Sequence, residues 1–253
     1  MFKFAVLPIS VKEATLATLQ LYKTTFAKIW YIFIPYWLAG MYSFAGYFLG
    51  FPKRAHDKTF YIYATGSLII WLIALYFKCV ALYQMQEEVT GHTTIDVAMR
   101  TMWKKYFVVL INQVLVGLAT AALLLLGVIP GVFVGGLLIL CLPLILFDNR
   151  SIFDAIRDSW SLVWGNWWRA FCVIAVPLVL IMVLTFSYLQ LIDYHEPYLL
   201  GCALILSLIS GFVFFPIYLA ALLVVFNDLK LRKRKVVVRA KPKRGRPKSI
   251  SNF

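Results

Sequence analysis

Residues 106–147 read YFVVLINQVLVGLATAALLLLGVIPGVFVGGLLILCLPLILF, forty-two positions without one charged side chain. A helix needs about 20 mostly apolar residues to cross the roughly 30 Å hydrocarbon layer, and each unpaired peptide group left there costs several kcal/mol. The stretch is therefore long enough for two passes, with only Ile129 and Pro130 to turn between 106–128 and 131–147. Gly127, Gly131 and Gly135 recur at four-residue spacing, so the two arms are expected to approach closely over a small-residue face.

Working outward, four more apolar stretches qualify as spans: 27–49, 61–83, 168–190 and 199–226. The expected fold is an all-α integral membrane protein with about six transmembrane helices, comprising a membrane domain over 1–228. Pro35, Pro143, Pro177 and Pro216 lie inside spans and are expected to kink them. The composition agrees: 62% of the 253 residues are hydrophobic and the mean hydropathy is +0.82, which excludes an ordinary water-soluble core. Eleven of the 25 basic residues follow Asp228 and no acid does, so the formal charge of +14 belongs mainly to a tail, 229–253, expected to be a disordered cytoplasmic arm. The start, MFKFAVLPIS, lacks the apolar core and cleavage site of a signal peptide, so the N-terminus is expected to persist.

Short loops rich in Lys and Arg stay in the cytoplasm. With the tail inside, that side also receives ten other basic residues, against Lys53, Arg54 and Lys58 opposite. Both termini are thus expected to be cytoplasmic.

Three cytoplasmic segments carry the same helix-start signal, a hydroxyl residue followed three positions later by an acid: Ser10 and Glu13, Thr93 and Asp96, Ser151 and Asp154. Ala14, Val97 and Ala155 follow in register, as do Leu19, Met102 and Trp160. The expectation is three repeats of a cytoplasmic amphipathic helix plus a membrane hairpin. In the third copy, Ile152, Ile156, Trp160, Val163 and Trp167 share one face, a pattern expected to lie in the headgroup plane. Its tryptophans are either an interfacial aromatic belt or the rim of a lipid groove.

The stretch 130–171, PGVFVGGLLILCLPLILFDNRSIFDAIRDSWSLVWGNWWRAF, resembles the YciC-like bacterial inner-membrane proteins and the related membrane domain of some glycerophosphoryl diester phosphodiesterases. The shared pattern is a Pro-Gly turn, an apolar arm with an internal Pro, and a helix running into SWxLxxGNWW. The resemblance implies a multi-pass bacterial inner-membrane protein, and it brings no established reaction. A phosphodiesterase barrel takes roughly 250 further residues, for which the six spans leave no room, so hydrolysis is not expected.

No catalytic, metal or cofactor set is legible. Cys79, Cys141, Cys172 and Cys202 sit in apolar stretches without CxxC spacing, and His56, His92 and His195 are assigned to loops on different sides of the bilayer. Away from the span ends, where Lys28 and Arg169 sit, the cores of the spans carry no charge apart from Lys78, near the inner end of the second, which either meets an anionic headgroup or snorkels to the nearby interface. Asn112, Gln113, Ser187 and Gln190 are expected to tie helices together by hydrogen bonds. Acids at the inner surface, interspersed with Arg100, Arg150 and Arg157, are expected to form ion pairs between helices. Candidate headgroup contacts are Lys78, Arg100, Arg157, Trp160, Trp167 and Trp168, and the expected partners are membrane lipids, especially anionic lipids of the inner leaflet.

In the tail, KPKRGRPK resembles the AT-hook, which implies minor-groove contacts to A·T-rich DNA by Arg244, Gly245, Arg246 and Pro247. Three functions thus follow as expectations: a non-enzymatic role in envelope or lipid organisation, transport or flipping of lipid-like substrates through helices broken by Pro and Gly, and membrane-tethered nucleic-acid binding.

Overall fold

The structure is a computed structural model that describes residues 8–35, 58–90, 94–193 and 197–240, with Phe4, Trp37, Leu38 and Tyr42. Among the described residues it is helical, without a strand: α1 Val11–Ile29, α2 Lys58–Thr90, α3 Ile95–Leu126, α4 Val128–Leu138, α5 Cys141–Asp148, α6 Ile152–Val163, α7 Trp167–Asp193, α8 Pro197–Ile209 and α9 Phe215–Ala240. Five continuous runs are long and apolar enough to cross a membrane: Tyr63–Val89, Ile95–Leu126, Val128–Asp148, Ile152–Ser187 and Gly201–Lys233. These are the features of a multi-pass membrane protein. Most of the expected span 27–49 beyond Leu38, the loop histidines His56, His92 and His195, and the AT-hook-like residues Arg244 to Pro247 lie outside the described residues.

The helix starts correct the expected register. Ser10 forms the reciprocal capping box with Glu13, and Ser151 accepts from the Asp154 amide. Thr93 lies outside the described residues, and the N-cap of α3 is Thr94, whose side chain caps nothing. The carbonyls of Ser10, Thr94 and Ser151 each accept from the amide four residues on, that of Ala14, Ala98 and Ala155. All three alanines are buried, whereas Val97, expected in that role, is exposed. Counting from these caps aligns Met102 with buried Thr18 and Ser159, not with exposed Leu19 and Trp160.

Two further expectations about boundaries change. The helix preceding the third expected span is not separate, because α3 runs unbroken through 32 residues. The tail does not begin at 229, because α9 continues to Ala240. Side chains hold the start of that extension: Lys230 Nζ lies 2.6 Å and 2.9 Å from the two Asp148 carboxylate oxygens and 4.8 Å from the Phe226 ring centroid. Arg232 Nε donates to Asp228 Oδ2 at 3.0 Å, and its terminal nitrogen to the Ile9 carbonyl at 2.8 Å.

Proline explains where helices break. A proline cannot donate to the carbonyl four residues back. For Pro143 that carbonyl belongs to Ile139, and the chain turns there, between α4 and α5. For Pro216 it belongs to Phe212, inside a π-helical segment, Ser210–Phe214, where the Phe215 amide reaches back to Ser210. Pro177 is carried inside α7.

The core is centred on α9, where Leu219 to Phe226 are all buried and pack against α1, α2 and α7. Leu75 to Met85 of α2 and Leu137 to Leu146 around the α4/α5 break complete it. Elsewhere the helices diverge. Leu125, Leu126, Val128 and Ile129, at the tip of the α3–α4 hairpin, are 70–90% exposed, as suits groups that face lipid hydrocarbon.

Candidate functional site: an apolar groove walled by glycine and tryptophan

The α3–α4 hairpin packs closely along its own length. A Cβ on Gly131 would lie 2.5 Å from Leu124, and one on Gly135 3.3 Å from Thr120. The glycine spacing therefore does permit close approach at these two positions, while Gly127 turns the chain with φ 155°. The hairpin meets α7 only sparsely, and the gap between them is a groove of about 340 Å³. That falls within the roughly 300–1,000 Å³ of small-molecule sites.

Three elements line it: Thr120 and Leu124 from α3, Gly131 to Ile139 from α4 and the turn after it, and Trp167 to Met182 from α7. A Cβ on Gly136 would lie 2.9 Å from Trp167 Nε1, so glycine there lets the indole lie flat on the hairpin. That nitrogen donates to the Phe133 carbonyl at 3.2 Å, which commits Trp167's polar atom to the wall and turns its ring surface to the groove. The lining contains the Thr120 hydroxyl and no ionisable side chain.

One end of the groove is banked by rings. Trp160 stacks on Trp164 with centroids 5.4 Å apart, Trp164 meets Phe133 edge-on at 5.9 Å, Phe133 lies 5.2 Å from Trp167, and Trp167 stacks on Phe171 at 4.8 Å. Trp168 completes the bank, 5.0 Å from Trp167. The placement of α6 creates this contact. Cys141 Sγ donates to the Ala155 carbonyl, and Ser159 Oγ to the Leu137 carbonyl at 2.6 Å, so α6 runs antiparallel along α5 and α4. Of the expected headgroup contacts, Trp160, Trp167 and Trp168 come together. Lys78 on α2 and Arg100 on α3 do not line the groove, and Arg157 is exposed on α6. Sequence reading passed over Phe133, Gly136, Phe171 and Ala175. Glycine and small residues opposite a tryptophan were the available signal, but which helices face one another is a tertiary fact.

The charges expected at the inner surface pair differently from expectation. Arg150 pairs with Asp158 at 3.2 Å, but Arg100 and Arg157 have no ion-pair partner among the described residues. The main junction is Asp228, 5% exposed, which accepts from Arg169 Nε at 3.1 Å, Arg232 Nε at 3.0 Å and the Ile9 amide at 3.0 Å. It fastens the N-terminal segment, α7 and α9 together. Asn112 also departs from expectation, because neither atom of its fully buried amide has a protein partner. Lys105 Nζ donates to Leu146 O at 2.6 Å and Thr120 neighbours Gly135, so the antiparallel register sets Asn112 opposite the α4/α5 break.

No protein-family model matches the chain, and neither does any curated protein or solved structure. The functional reading therefore rests on the groove and its surroundings.

Proposed function

We propose that the chain is a non-enzymatic membrane protein that holds the acyl chain of a membrane lipid in the groove between the α3–α4 hairpin and α7, in the service of envelope or lipid organisation. The carrying observation is the groove itself: hydrocarbon and aromatic walls, no ionisable lining group, and walls built from helices apolar enough to stand in a bilayer. A polar substrate finds no counter-charge there, whereas an acyl chain exchanges one hydrocarbon surrounding for a closer-packed one.

The finer architecture belongs to the same proposal: six spans in three helix-plus-hairpin repeats, both termini cytoplasmic, in a bacterial inner membrane, as the YciC-like resemblance implies. The three buried cap-plus-four alanines support the repeat. The apolar groove favours the lipid reading over nucleic-acid binding by the tail. Lipid flipping is the second reading, supported by the break at Ile139–Leu140 and the π segment before Pro216, both places where a bundle can bend.

Ala175, on the α7 wall, is the position to fill. In native mass spectrometry of the detergent-purified protein, Ala175→Phe is expected to lose most co-purified lipid while remaining folded. Equal retention by the variant would contradict a groove-bound chain.

A further inference from the structure

Counted from the observed N-caps, α3 and α6 present the same exposed stripe, which in α6 ends on its C-cap, Trp164, the first residue of a 3-10 turn. The sixth, ninth and thirteenth residues after Thr94 are Arg100, Trp103 and Phe107, and after Ser151 they are Arg157, Trp160 and Trp164. Positions spaced three and four apart share one helix face. All six side chains are exposed, Trp103 at 73% and Phe107 at 68%, while the opposite face in both helices is buried at the fourth and eighth positions after the cap, Ala98 and Met102, Ala155 and Ser159. The coincidence is invisible when the second helix is counted from Thr93. The first helix breaks the pattern: after Ser10 the same positions are Leu16, Leu19 and Lys23.

Neither arginine is used by the fold. Among the described residues Arg100 and Arg157 have no ion-pair or hydrogen-bond partner, although Arg150, Arg169 and Arg232 all do. A guanidinium suits the oxygens of a phosphate, a tryptophan suits the headgroup level, and a second ring one turn further on suits the start of the hydrocarbon. Along α3, and along α6 taken to follow the α5 and α4 segments it packs against instead of lying in the headgroup plane, the order of the three side chains is that of a phospholipid from phosphate to acyl chain.

We infer that Arg100–Trp103–Phe107 and Arg157–Trp160–Trp164 are two equivalent surface sites for the phosphate and glycerol region of an anionic phospholipid, and that α1 has lost the third. The inference rests on the membrane reading; Trp160 and Trp164 also bank one end of the acyl-chain groove, but the arginines do not, so substitutions at the arginines and at Ala175 let the two readings fail separately. Arg100 is on a helix face remote from the groove lining, and filling the groove at Ala175 leaves both arginines in place.

The test uses the full chain in detergent, equilibrated with equal parts of phosphatidylglycerol and phosphatidylcholine and read by native mass spectrometry. Beyond the lipid that Ala175→Phe removes from the groove, wild type is expected to retain two phosphatidylglycerol molecules in preference to phosphatidylcholine. Arg100→Gln and Arg157→Gln are each expected to weaken one of the two by roughly fivefold, the effect of one cation beside an anionic surface, and the double variant to weaken both. Lys23→Gln, an exposed cation of α1 at the position that matches Phe107 and Trp164 and not the arginines, is expected to change neither. Thermal unfolding in the same detergent verifies that each variant is folded. Equal retention of the two lipids, or full phosphatidylglycerol retention by the folded double variant, overturns the assignment, as does an equal loss in Lys23→Gln.

Discussion

The α9 region and the α3 helix are both apolar runs of about the same length, yet they are used in opposite ways. In the most apolar eighteen-residue window of each, 61% of Gly201–Lys233 is buried inside the protein and only 11% of Ile95–Leu126. Hydropathy does not separate them, at 2.5 and 2.3. What separates them is their neighbours. The α9 helix is enclosed by α1, α2, α6 and α7 and is tied by Asp228 and Lys230, whereas α3 leans mainly on α4 and α2 and leaves an apolar face outward. An apolar side chain contributes to folding where it meets protein and contributes to lipid contact where it does not.

That contrast is broken or sharpened most strongly by one matched pair. Leu82 of α2 is fully buried, and Leu125 of α3 is 90% exposed. In detergent, Leu82→Ala is expected to destabilise by about 3 kcal/mol, as a cavity in a packed core does, and Leu125→Ala by less than about 0.5 kcal/mol, as surface changes do. Similar losses in thermal unfolding would show that the hairpin tip is packed. Asp228→Asn comes next, at about 2–3 kcal/mol. Removing one partner of a buried ion pair costs about 3–5 kcal/mol, reduced here because Arg169 and Arg232 keep 22% and 28% of their side-chain surface exposed. The same variant should make the N-terminal segment easier to cleave by protease, since the Ile9 amide loses its acceptor.

Asn112→Leu is expected to act in the other direction, stabilising by about 1 kcal/mol, because it removes a desolvated amide that has no protein partner. Destabilisation would reveal a bound water or ligand satisfying that amide at the α4/α5 break. The smallest effect belongs to pH. The Glu13 carboxylate is held below its usual pKa first by the Ser10 backbone hydrogen bond and then by the Ser10 side chain. A depressed carboxylate stabilises above its unfolded value and loses that contribution as pH falls from about 4.5 through its lower folded value. Glu13→Gln is therefore expected to reduce the wild-type decline in melting temperature across that window while changing little at neutral pH.

Much of the fold was legible because lipid imposes a simple rule. Long uncharged runs must be helices, and the capping residues Ser10 and Ser151 and the breaks near Pro143 and Pro216 have local causes; the α3–α4 turn, expected at Ile129–Pro130, instead falls at Gly127, whose positive φ a glycine tolerates, and Ile129 and Pro130 lie in the first turn of α4. The end of α9 did not, since the basic run after Asp228 has the composition of a disordered arm. Its first turn beyond Asp228 is held because Asp148, distant in sequence, receives Lys230 and because Arg232 bridges Asp228 to Ile9. The α3 start was misread by one residue because two threonines are adjacent, and only the burial of Ala98 over Val97 decides between them. Within the site, the tryptophans of SWxLxxGNWW stood out in the sequence. Their partners Phe133, Gly136 and Phe171 did not, because the antiparallel packing of α6 on α4 and α5 follows from Ser159 and Cys141 reaching carbonyls on those segments.

The most direct test of a lipid-holding groove is photolabelling of the full chain, reconstituted in phospholipid vesicles that contain a lipid with a photoactivatable group midway along its acyl chain, followed by peptide mapping. A groove-bound chain predicts labelling concentrated at Gly131–Ile139 and Trp167–Met182 and suppressed there by Ala175→Phe. Labelling spread evenly over outward positions such as Val128, Ile129 and Phe186, with no excess at the groove and no effect of the substitution, would contradict it.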